Sequence, residues 1–149
     1  MSPELIRSTE VIARVMPGDR DWWIIGSAAL ALSGISVEPQ DIDVFAASDV
    51  IEQARLALGV PAMPSGSDRF RSIPYFQFHP EGGLPIDFMG GLEVRVADTW
   101  VPLHIESRVS VSIRNVTLFV PDLEEQVAIL RLFDRPKDLA RVALIADRK

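Results

Sequence analysis

The sequence of 149 residues contains no cysteine. This absence excludes disulfide bonds, thiol catalysis and metal sites built from thiolates, and it is neutral about the compartment. No uninterrupted apolar run approaches the roughly 18 residues of a transmembrane helix. The first residues, SPELIRSTE after Met1, lack the apolar core of a signal peptide. We therefore expect a cytoplasmic protein with no membrane partner.

The sequence also has few histidines and no excess of positive charge. The formal net charge is −6, so general attraction to nucleic acid is not expected. The two histidines, His79 and His104, lack the spacing of metal ligands. Neither is arranged with Ser27 or Ser33 as a catalytic serine would require, so covalent hydrolase chemistry is not expected.

Acidic and basic residues are unevenly distributed along the chain. Residues 19–50 hold six acids and one base, whereas residues 131–149 hold six bases and three acids. An acidic metal-binding half facing a basic phosphate-binding half would explain this asymmetry, and ordinary surface variation is the alternative.

The apolar pattern predicts one domain over residues 1–149, built on a mixed α/β or α+β sheet and ending in two helices. A capped helix begins at Ser2-Pro3-Glu4 and ends at Pro17-Gly18-Asp19. The predicted strands are Trp22–Ile25, a strand that carries Asp41 and Asp43, then 69–73, 75–79, 84–89, 94–96, 101–105, Val109–Ile113 and 116–119. The other predicted helices are 28–33, 50–58 capped by Ser48 or Asp49, one that starts with a capping box of Asp122 and Glu125, and one after Asp134-Arg135-Pro136.

Three aspartates stand out because each lies between apolar strand residues. Asp41 and Asp43 are two positions apart, so on a strand their side chains share one face. Two like charges so placed repel each other unless a cation is present. Asp87, flanked by Ile86 and Phe88, would join them if its strand lies beside theirs. Three carboxylates on adjacent strands can hold two Mg²⁺ ions of the kind that in-line phosphoryl transfer uses. A plain strand-end role for Asp87 is the alternative.

Gly26-Ser27 follows a buried strand and precedes a short helix. Glycine allows a ligand to approach the backbone closely, and a serine at a helix N-terminus can hold phosphate oxygens. Serine is also a common helix cap, so the pair gains its significance from the two aspartates on the next strand.

The order of strand, Gly26-Ser27, helix, Asp41-x-Asp43 and a later Asp87 resembles the nucleotidyltransferase superfamily, the DNA-polymerase-beta-like fold. The segment WWIIGSAALALSG is most similar to the lincosamide-type and abortive-infection toxin branch, and Arg135, Lys137 and Asp138 are similar to its Arg-x-Lys-Asp segment. The resemblance implies an α+β fold with a mixed or antiparallel central sheet flanked by helices and two C-terminal helices. It also implies transfer of a nucleoside monophosphate from a nucleoside triphosphate (NTP) to an acceptor hydroxyl, with two Mg²⁺ ions.

The same resemblance assigns roles by position. Asp41, Asp43 and Asp87 would be the catalytic metal ligands, and Gly26, Ser27, Arg131 and Lys137 would bind the nucleotide. The chain differs from the family pattern at three places: Gln40 replaces a Thr or Ser, Arg131 replaces a Lys, and Arg141 replaces an acid.

Other basic and aromatic residues allow two interpretations each. Arg69 and Arg71 share a strand face and could contact phosphate or acceptor, or be solvated. Trp22 and Trp23 could sandwich a base, but neighbouring strand residues face opposite ways, which favours core packing.

Three functions are therefore compared. The first is a Mg²⁺-dependent nucleotidyltransferase acting on a small molecule, a protein or a tRNA. The second is a non-catalytic module of the same fold that senses nucleotide or binds a partner, such as one half of a toxin–antitoxin pair. The third is a homodimeric scaffold built from the terminal helices, for which the three aspartates would be dispensable.

Overall fold

The computed structural model describes residues 1–147, which form five helices and nine strands. The helices are α1 (Pro3–Val15), α2 (Gly26–Leu32), α3 (Ser48–Leu58), α4 (Leu123–Phe133) and α5 (Pro136–Ala146). The strands are β1 (Trp22–Ile25), β2 (Ile42–Ala46), β3 (Phe70–Arg71), β4 (Tyr75–Phe78), β5 (Ile86–Gly90), β6 (Glu93–Val96), β7 (Thr99–Pro102), β8 (Val109–Ile113) and β9 (Val116–Val120).

The central sheet has the strand order β1-β2-β5-β4. β1 and β4 are antiparallel to their neighbours, whereas β2 and β5 run parallel. The predicted mixed sheet and α+β class are confirmed. The predicted hairpin of β4 and β5 is confirmed as well, with a turn closed by the bond from the Gly83 amide to the Pro80 carbonyl. Two smaller sheets, β3-β6-β7 and β8-β9, complete the fold.

Alternation along the strands divides the core between the two faces of the central sheet. Trp22, Val44 and Phe88 belong to the larger apolar cluster, together with buried residues of α1 and α3. Trp23 and Phe45 point the other way, into a cluster with residues of β6 and α4. The prediction that the two tryptophans pack in the core on opposite faces is confirmed. The aspartates at positions 43 and 87 lie on the face of this second cluster, because they alternate with Val44 and Phe88.

Two predicted boundaries around the aspartates are corrected. Gly26 and Ser27 are the first residues of α2 rather than a separate turn, and Ile25 is its N-cap with no side-chain cap bond. Asp41 immediately precedes β2 instead of lying on it. The strand is shorter because Ile42 is the first residue bonded to β5, through the Pro85 carbonyl.

The predicted helix caps are partly wrong. α3 begins at Ser48 with Ala47 as N-cap, and Asp49 forms an ion pair with Arg20 at 2.9 Å instead of capping. Asp122 caps α4 as predicted, accepting the Glu125 amide at 2.8 Å. The reciprocal half of the capping box is missing, because Glu125 accepts the backbone amides of residues 106 and 107.

The two C-terminal helices are separated by two residues, the first of which, Asp134, is left-handed with φ of 57°. That residue ends α4 and turns the chain so that α5 begins two positions later. Val142 and Ile145 of α5 pack against a buried cluster that contains Leu130 of α4. The part of the chain from 1 to 147 has no helix long and apolar enough to cross a membrane.

Candidate active site

The pairing of β2 with β5 brings the three predicted aspartates together. In the parallel register Asp43 lies directly opposite Asp87, with Ile42 opposite Ile86. Asp41 precedes the same strand by one residue. One carboxylate oxygen from each of the three lies within 4.8 Å of the others. This cluster is an all-oxygen donor set of the kind that hard divalent cations prefer.

Burial and repulsion between the carboxylates raise the pKa values of two of the three aspartates. Burial, followed by the charges of Asp41 and Asp87, raises the pKa of Asp43 to about 7. The pKa of Asp41 is also raised, first by burial and then by Asp87. The protein therefore holds negative charge in a place that favours either a proton or a cation.

Asp87 is fixed by two side chains of the neighbouring strand β4. The Tyr75 hydroxyl donates to Oδ1 of Asp87 at 2.7 Å, and the Gln77 amide nitrogen donates to the same oxygen at 2.6 Å. Burial and the bond to Asp87 raise the pKa of the Tyr75 hydroxyl, so it remains a proton donor. Both donors use Oδ1, so neither of them occupies Oδ2.

Gly26 lies against the middle of the cluster. It follows Ile25, which pairs with Asp43 across β1 and β2. Its φ is +74°, and a Cβ atom at this position would lie 3.1 Å from Oδ2 of Asp43. A side chain here would therefore be strained and would crowd the carboxylate. Ser27, the next residue, is buried in the first turn of α2.

Basic side chains in and just before α5 lie near the carboxylates. The charges of Lys137, Arg141 and Arg135 all lower the pKa of Asp41, opposing the effect of burial, and Arg135 and Lys137 act in the same way on Asp43. The predicted residue Lys137 is thus near the cluster, with an exposed side chain. Basic and acidic halves of the chain do meet at this point.

The comparisons with known proteins rest on structure. A scan of protein-family models and a search of curated proteins found no match. A solved structure from Thermotoga maritima, provisionally assigned as a nucleotidyltransferase, is similar over 100% of this chain and 96% of its own, with a TM-score of 0.78 and 19% sequence identity. This chain has the nucleotidyltransferase fold.

Within this nucleotidyltransferase fold, Arg135 is a site residue that the sequence did not predict, as are Tyr75 and Gln77. Its guanidinium donates to both carboxylate oxygens of Asp138, at 2.6 and 3.0 Å. Asp138 is fully buried and also lies 3.8 Å from Arg141. The buried acid therefore orients Arg135, which lines a cavity together with Asp43 and Asp87. The signal was present in the sequence, as the first residue of the Arg-x-Lys-Asp segment.

Other predicted basic residues lie elsewhere. Arg131 is exposed on α4 and is outside the set of residues, among those described, that line the cavity. Its predicted contact with nucleotide stays a prediction. Arg69 donates to the Phe133 carbonyl at 2.6 Å, and Arg71 pairs with Glu93 at 2.6 Å. These bonds give both arginines structural partners away from the carboxylates.

The cavity beside the cluster has a volume of about 310 Å³. Its polar lining comes from Asp43, Asp87, Tyr75, Arg135 and the serines at 65, 67 and 72. Its apolar lining consists of Ile25, Pro64, Phe70, Met89, Leu92 and Phe133. Apolar walls with a few convergent polar groups are typical of small-molecule sites.

Proposed function

We propose that this protein is a magnesium-dependent nucleotidyltransferase that moves a nucleoside monophosphate from an NTP to an acceptor hydroxyl. The observation that carries the proposal is the meeting of Asp41, Asp43 and Asp87 within 4.8 Å at the edge of two parallel strands. The fold shared with the Thermotoga maritima structure supports it.

The donor set fits Mg²⁺. It consists only of carboxylate oxygens, and burial, followed by the charges of Asp41 and Asp87, raises the pKa of Asp43 in spite of the opposing charges of Arg135 and Lys137. Asp41, Asp43 and Asp87 would hold the metal. When bound, the metal would neutralise phosphate charge and make the acceptor hydroxyl a better nucleophile.

The remaining residues have positioning roles in this proposal. Gly26 leaves the backbone open to a phosphate group, and Ser27 follows it as the second residue of α2. Lys137 and Arg135 supply positive charge opposite the carboxylates, where the triphosphate would lie. Tyr75 and Gln77 keep Asp87 in one orientation. Catalysis would come mainly from positioning and from charge neutralisation.

The bond changes of the proposed reaction are balanced. The acceptor oxygen forms a bond to the α-phosphorus, and the bond from that phosphorus to the bridging oxygen of pyrophosphate breaks. Pyrophosphate leaves with its electron pair, and the proton of the acceptor hydroxyl is lost to water.

Calorimetry with the four common NTPs tests the proposal without knowledge of the acceptor. We expect at least one NTP to bind in Mg²⁺ and binding to disappear in EDTA. Asp43→Asn should abolish this metal-dependent binding, whereas Asp19→Asn, at an exposed acid outside the cluster, should retain it. Equal binding by Asp43→Asn and wild type would sink the assignment. Transfer of label from an α-labelled NTP to candidate acceptors then tests turnover.

A partner-binding module of the same fold is the second candidate. One observation favours it: α5 leaves Leu139 and Leu144 about 46% and 44% exposed. A homodimer or a toxin–antitoxin partner would cover this surface. Light scattering of the wild type and of Leu139→Ser/Leu144→Ser tests self-association. The module is supported if the wild type is dimeric, the variant is monomeric and no NTP binds.

A further inference from the structure

Tyr75 reaches the carboxylate cluster from the strand beside β5. On β4, Phe76 lies in the core and stacks on Phe88 with ring centroids 4.4 Å apart. Alternation therefore directs Tyr75 to the opposite face of the sheet, the face that carries Asp87. β4 and β5 are antiparallel with Gln77 opposite Asp87, and an aromatic side chain two positions along can reach across diagonally. Tyr75 is the only tyrosine of the sequence.

The Tyr75 hydroxyl lies where the proposed reaction needs an acceptor hydroxyl. It donates to Oδ1 of Asp87 at 2.7 Å. One carboxylate oxygen of Asp87 is within 4.8 Å of an oxygen of Asp41 and of Asp43. The acceptor oxygen of a metal-dependent transfer must lie beside the ions that such carboxylates hold. The chain thus supplies a hydroxyl of its own close to that point.

The serine hydroxyls of the cavity are bonded to other partners. Those of Ser65 and Ser72 bond to each other at 3.1 Å, and the Ser67 hydroxyl accepts two backbone amides of its own loop. Among the hydroxyl groups that line the cavity in the described part of the chain, that of Tyr75 is the one bonded to a carboxylate of the cluster. This difference distinguishes Tyr75 from the serines as a site of modification.

The proposed phosphate contact lies in the same cavity. Arg135 lines it together with Tyr75, Asp43 and Asp87. A triphosphate that contacts Arg135 would therefore share this space with the Tyr75 hydroxyl. In-line displacement requires the attacking oxygen and the leaving pyrophosphate to lie on opposite sides of the α-phosphorus. Attack by Tyr75 thus requires the pyrophosphate to point away from β4.

We propose that Tyr75 is an acceptor of the transfer reaction, so that the chain attaches a nucleoside monophosphate to its own tyrosine. The phenolic oxygen forms a bond to the α-phosphorus of the NTP, and the bond from that phosphorus to the bridging oxygen of pyrophosphate breaks. Pyrophosphate leaves with the electron pair. The phenolic proton passes to Oδ1 of Asp87, which the hydroxyl already contacts, and from there to water. Self-modification rests on the proposed function, because that function supplies the NTP and the metal-dependent transfer.

Mass spectrometry after incubation with Mg²⁺ and each of the four common NTPs tests the proposal. We expect at least one NTP to add a single nucleoside monophosphate. Trypsin should confine it to the peptide of residues 72–95, whose hydroxyl residues are Ser72 and Tyr75, and fragmentation should place it on Tyr75. The rate should not depend on protein concentration, since hydroxyl and site belong to one chain. An adduct elsewhere, or a rate that rises with protein concentration, overturns the proposal.

Tyr75→Phe and Gln77→Ala form a matched pair. Both residues donate to Oδ1 of Asp87, and only Tyr75 carries a hydroxyl. At Mg²⁺ concentrations that saturate each variant, Tyr75→Phe should form no adduct, whereas Gln77→Ala should form it at a rate lowered by about tenfold at most. Equal results for the two variants would mean that Tyr75 only orients Asp87, and the proposal would be wrong.

A measurement without turnover uses the single tyrosine of the sequence. Biosynthetic incorporation of fluorotyrosine gives one fluorine NMR resonance, from position 75. A nonhydrolysable α,β-methylene NTP with Mg²⁺ should shift this resonance in the wild type and leave it in place in Asp43→Asn. A resonance that does not move when calorimetry shows the analogue to be bound contradicts the proposal.

These experiments separate failure of self-modification from failure of the proposed function. If an NTP binds in Mg²⁺ and no adduct forms on Tyr75, self-modification is wrong and the proposed function keeps the support of its binding test. If no NTP binds to the wild type in Mg²⁺, both are wrong.

Discussion

Asp43 and Asp87 face each other across the only parallel strand pair of the described sheets, and Gly26 approaches the same point from β1. Two side chains of like charge in a directly paired position destabilise a sheet. Here the surrounding burial makes the effect larger, because little water screens the charges. The arrangement has measurable consequences for stability and for metal binding.

Stability of the metal-free protein should depend on pH through Asp43. The pKa of this group is about 7 in the folded chain and about 4 in an unfolded chain. A raised pKa means that the folded state binds the proton more tightly, so the contribution of Asp43 to stability is present below about pH 4 and is lost as the pH rises towards 7. Asp43→Asn should be more stable than wild type at pH 8, on the order of 1–3 kcal/mol, and similar to it at pH 4. Urea unfolding in EDTA at several pH values measures the difference.

The control is Asp19→Asn, at an exposed acid. Its stability difference from wild type should be small and should not grow between pH 4 and 8. A flat difference for Asp43→Asn would mean that the carboxylate is solvated and that the repulsion described here is absent.

Gly26→Ala should destabilise the protein through two separable effects. The first is backbone strain, because φ is +74°, and the second is the contact of 3.1 Å between the new Cβ and Oδ2 of Asp43. Gly59 provides the matched control: its φ is +67°, and an added Cβ would meet nothing within 4 Å. Gly59→Ala should cost about 1–2 kcal/mol from strain alone, and Gly26→Ala should cost more.

Metal binding provides the second measurement on this pair of variants. Gly59→Ala should bind Mg²⁺ or Mn²⁺ as the wild type does, and Gly26→Ala should bind more weakly because its methyl group crowds Asp43. Equal stability losses together with equal metal affinities would contradict the proposed role of Gly26.

Tyr75→Phe should weaken metal binding more than it weakens the fold. The hydroxyl donates to Oδ1 of Asp87 at 2.7 Å, and Gln77 donates to the same atom. Loss of a residue that orients a metal ligand typically reduces affinity by about 10–100-fold. The cost to stability should be about 1 kcal/mol, the usual value of one hydrogen bond. Calorimetric titration with Mn²⁺ measures the first quantity and urea unfolding the second.

A double-mutant cycle with Gln77→Ala extends this test. Because both donors use one oxygen, each should partly compensate for the loss of the other, and the double variant should lose more metal affinity than the sum of the single losses. Additive losses would show that Tyr75 and Gln77 act independently on Asp87.

Asp138→Asn should be the most destabilising of the conservative substitutions in α5. The carboxylate is fully buried and accepts two bonds from the guanidinium of Arg135. Removal of its charge abolishes the ion pairs that it forms with the arginines at 135 and 141, at a cost of about 2–4 kcal/mol. Arg141→Gln, which removes the longer contact of 3.8 Å, should cost less than half as much. Urea unfolding of both variants decides the order.

Nucleotide binding should respond to the same two variants differently. Asp138→Asn releases Arg135 from its fixed orientation and should weaken Mg²⁺-dependent NTP binding, whereas Arg141→Gln should leave Arg135 in place. Unchanged NTP affinity in Asp138→Asn would remove Arg135 from the proposed phosphate contacts.

Much of this site could be predicted because its residues interrupt a regular pattern. Asp43 and Asp87 alternate with buried apolar residues, so their shared sheet face followed from strand periodicity, and Gly26 followed a buried strand. The pairing of β2 with β5 could not be predicted from the sequence. The sequence indicated only that Asp87 would join the other aspartates if the two strands were neighbours. The pairing depends on strand order, which local sequence does not encode.

The parts that were missed depend on tertiary packing. The role of Arg135 depends on the buried position of Asp138, and that position depends on the left-handed turn at Asp134. The cap of α3 was wrong because Asp49 is paired with Arg20, a residue distant in the chain. The cavity could not be predicted, since its walls come from loop 64–67, β3, β5 and the end of α4.

The parallel pairing of β2 with β5 also has a kinetic consequence. These strands are distant in the chain, and the two segments must meet before Asp43 and Asp87 become neighbours. An ion that requires both carboxylates can bind only after this long-range contact has formed. Added Mg²⁺ should therefore slow unfolding and leave the refolding rate nearly unchanged, so that the ion controls how long the native state lasts rather than how fast it is reached.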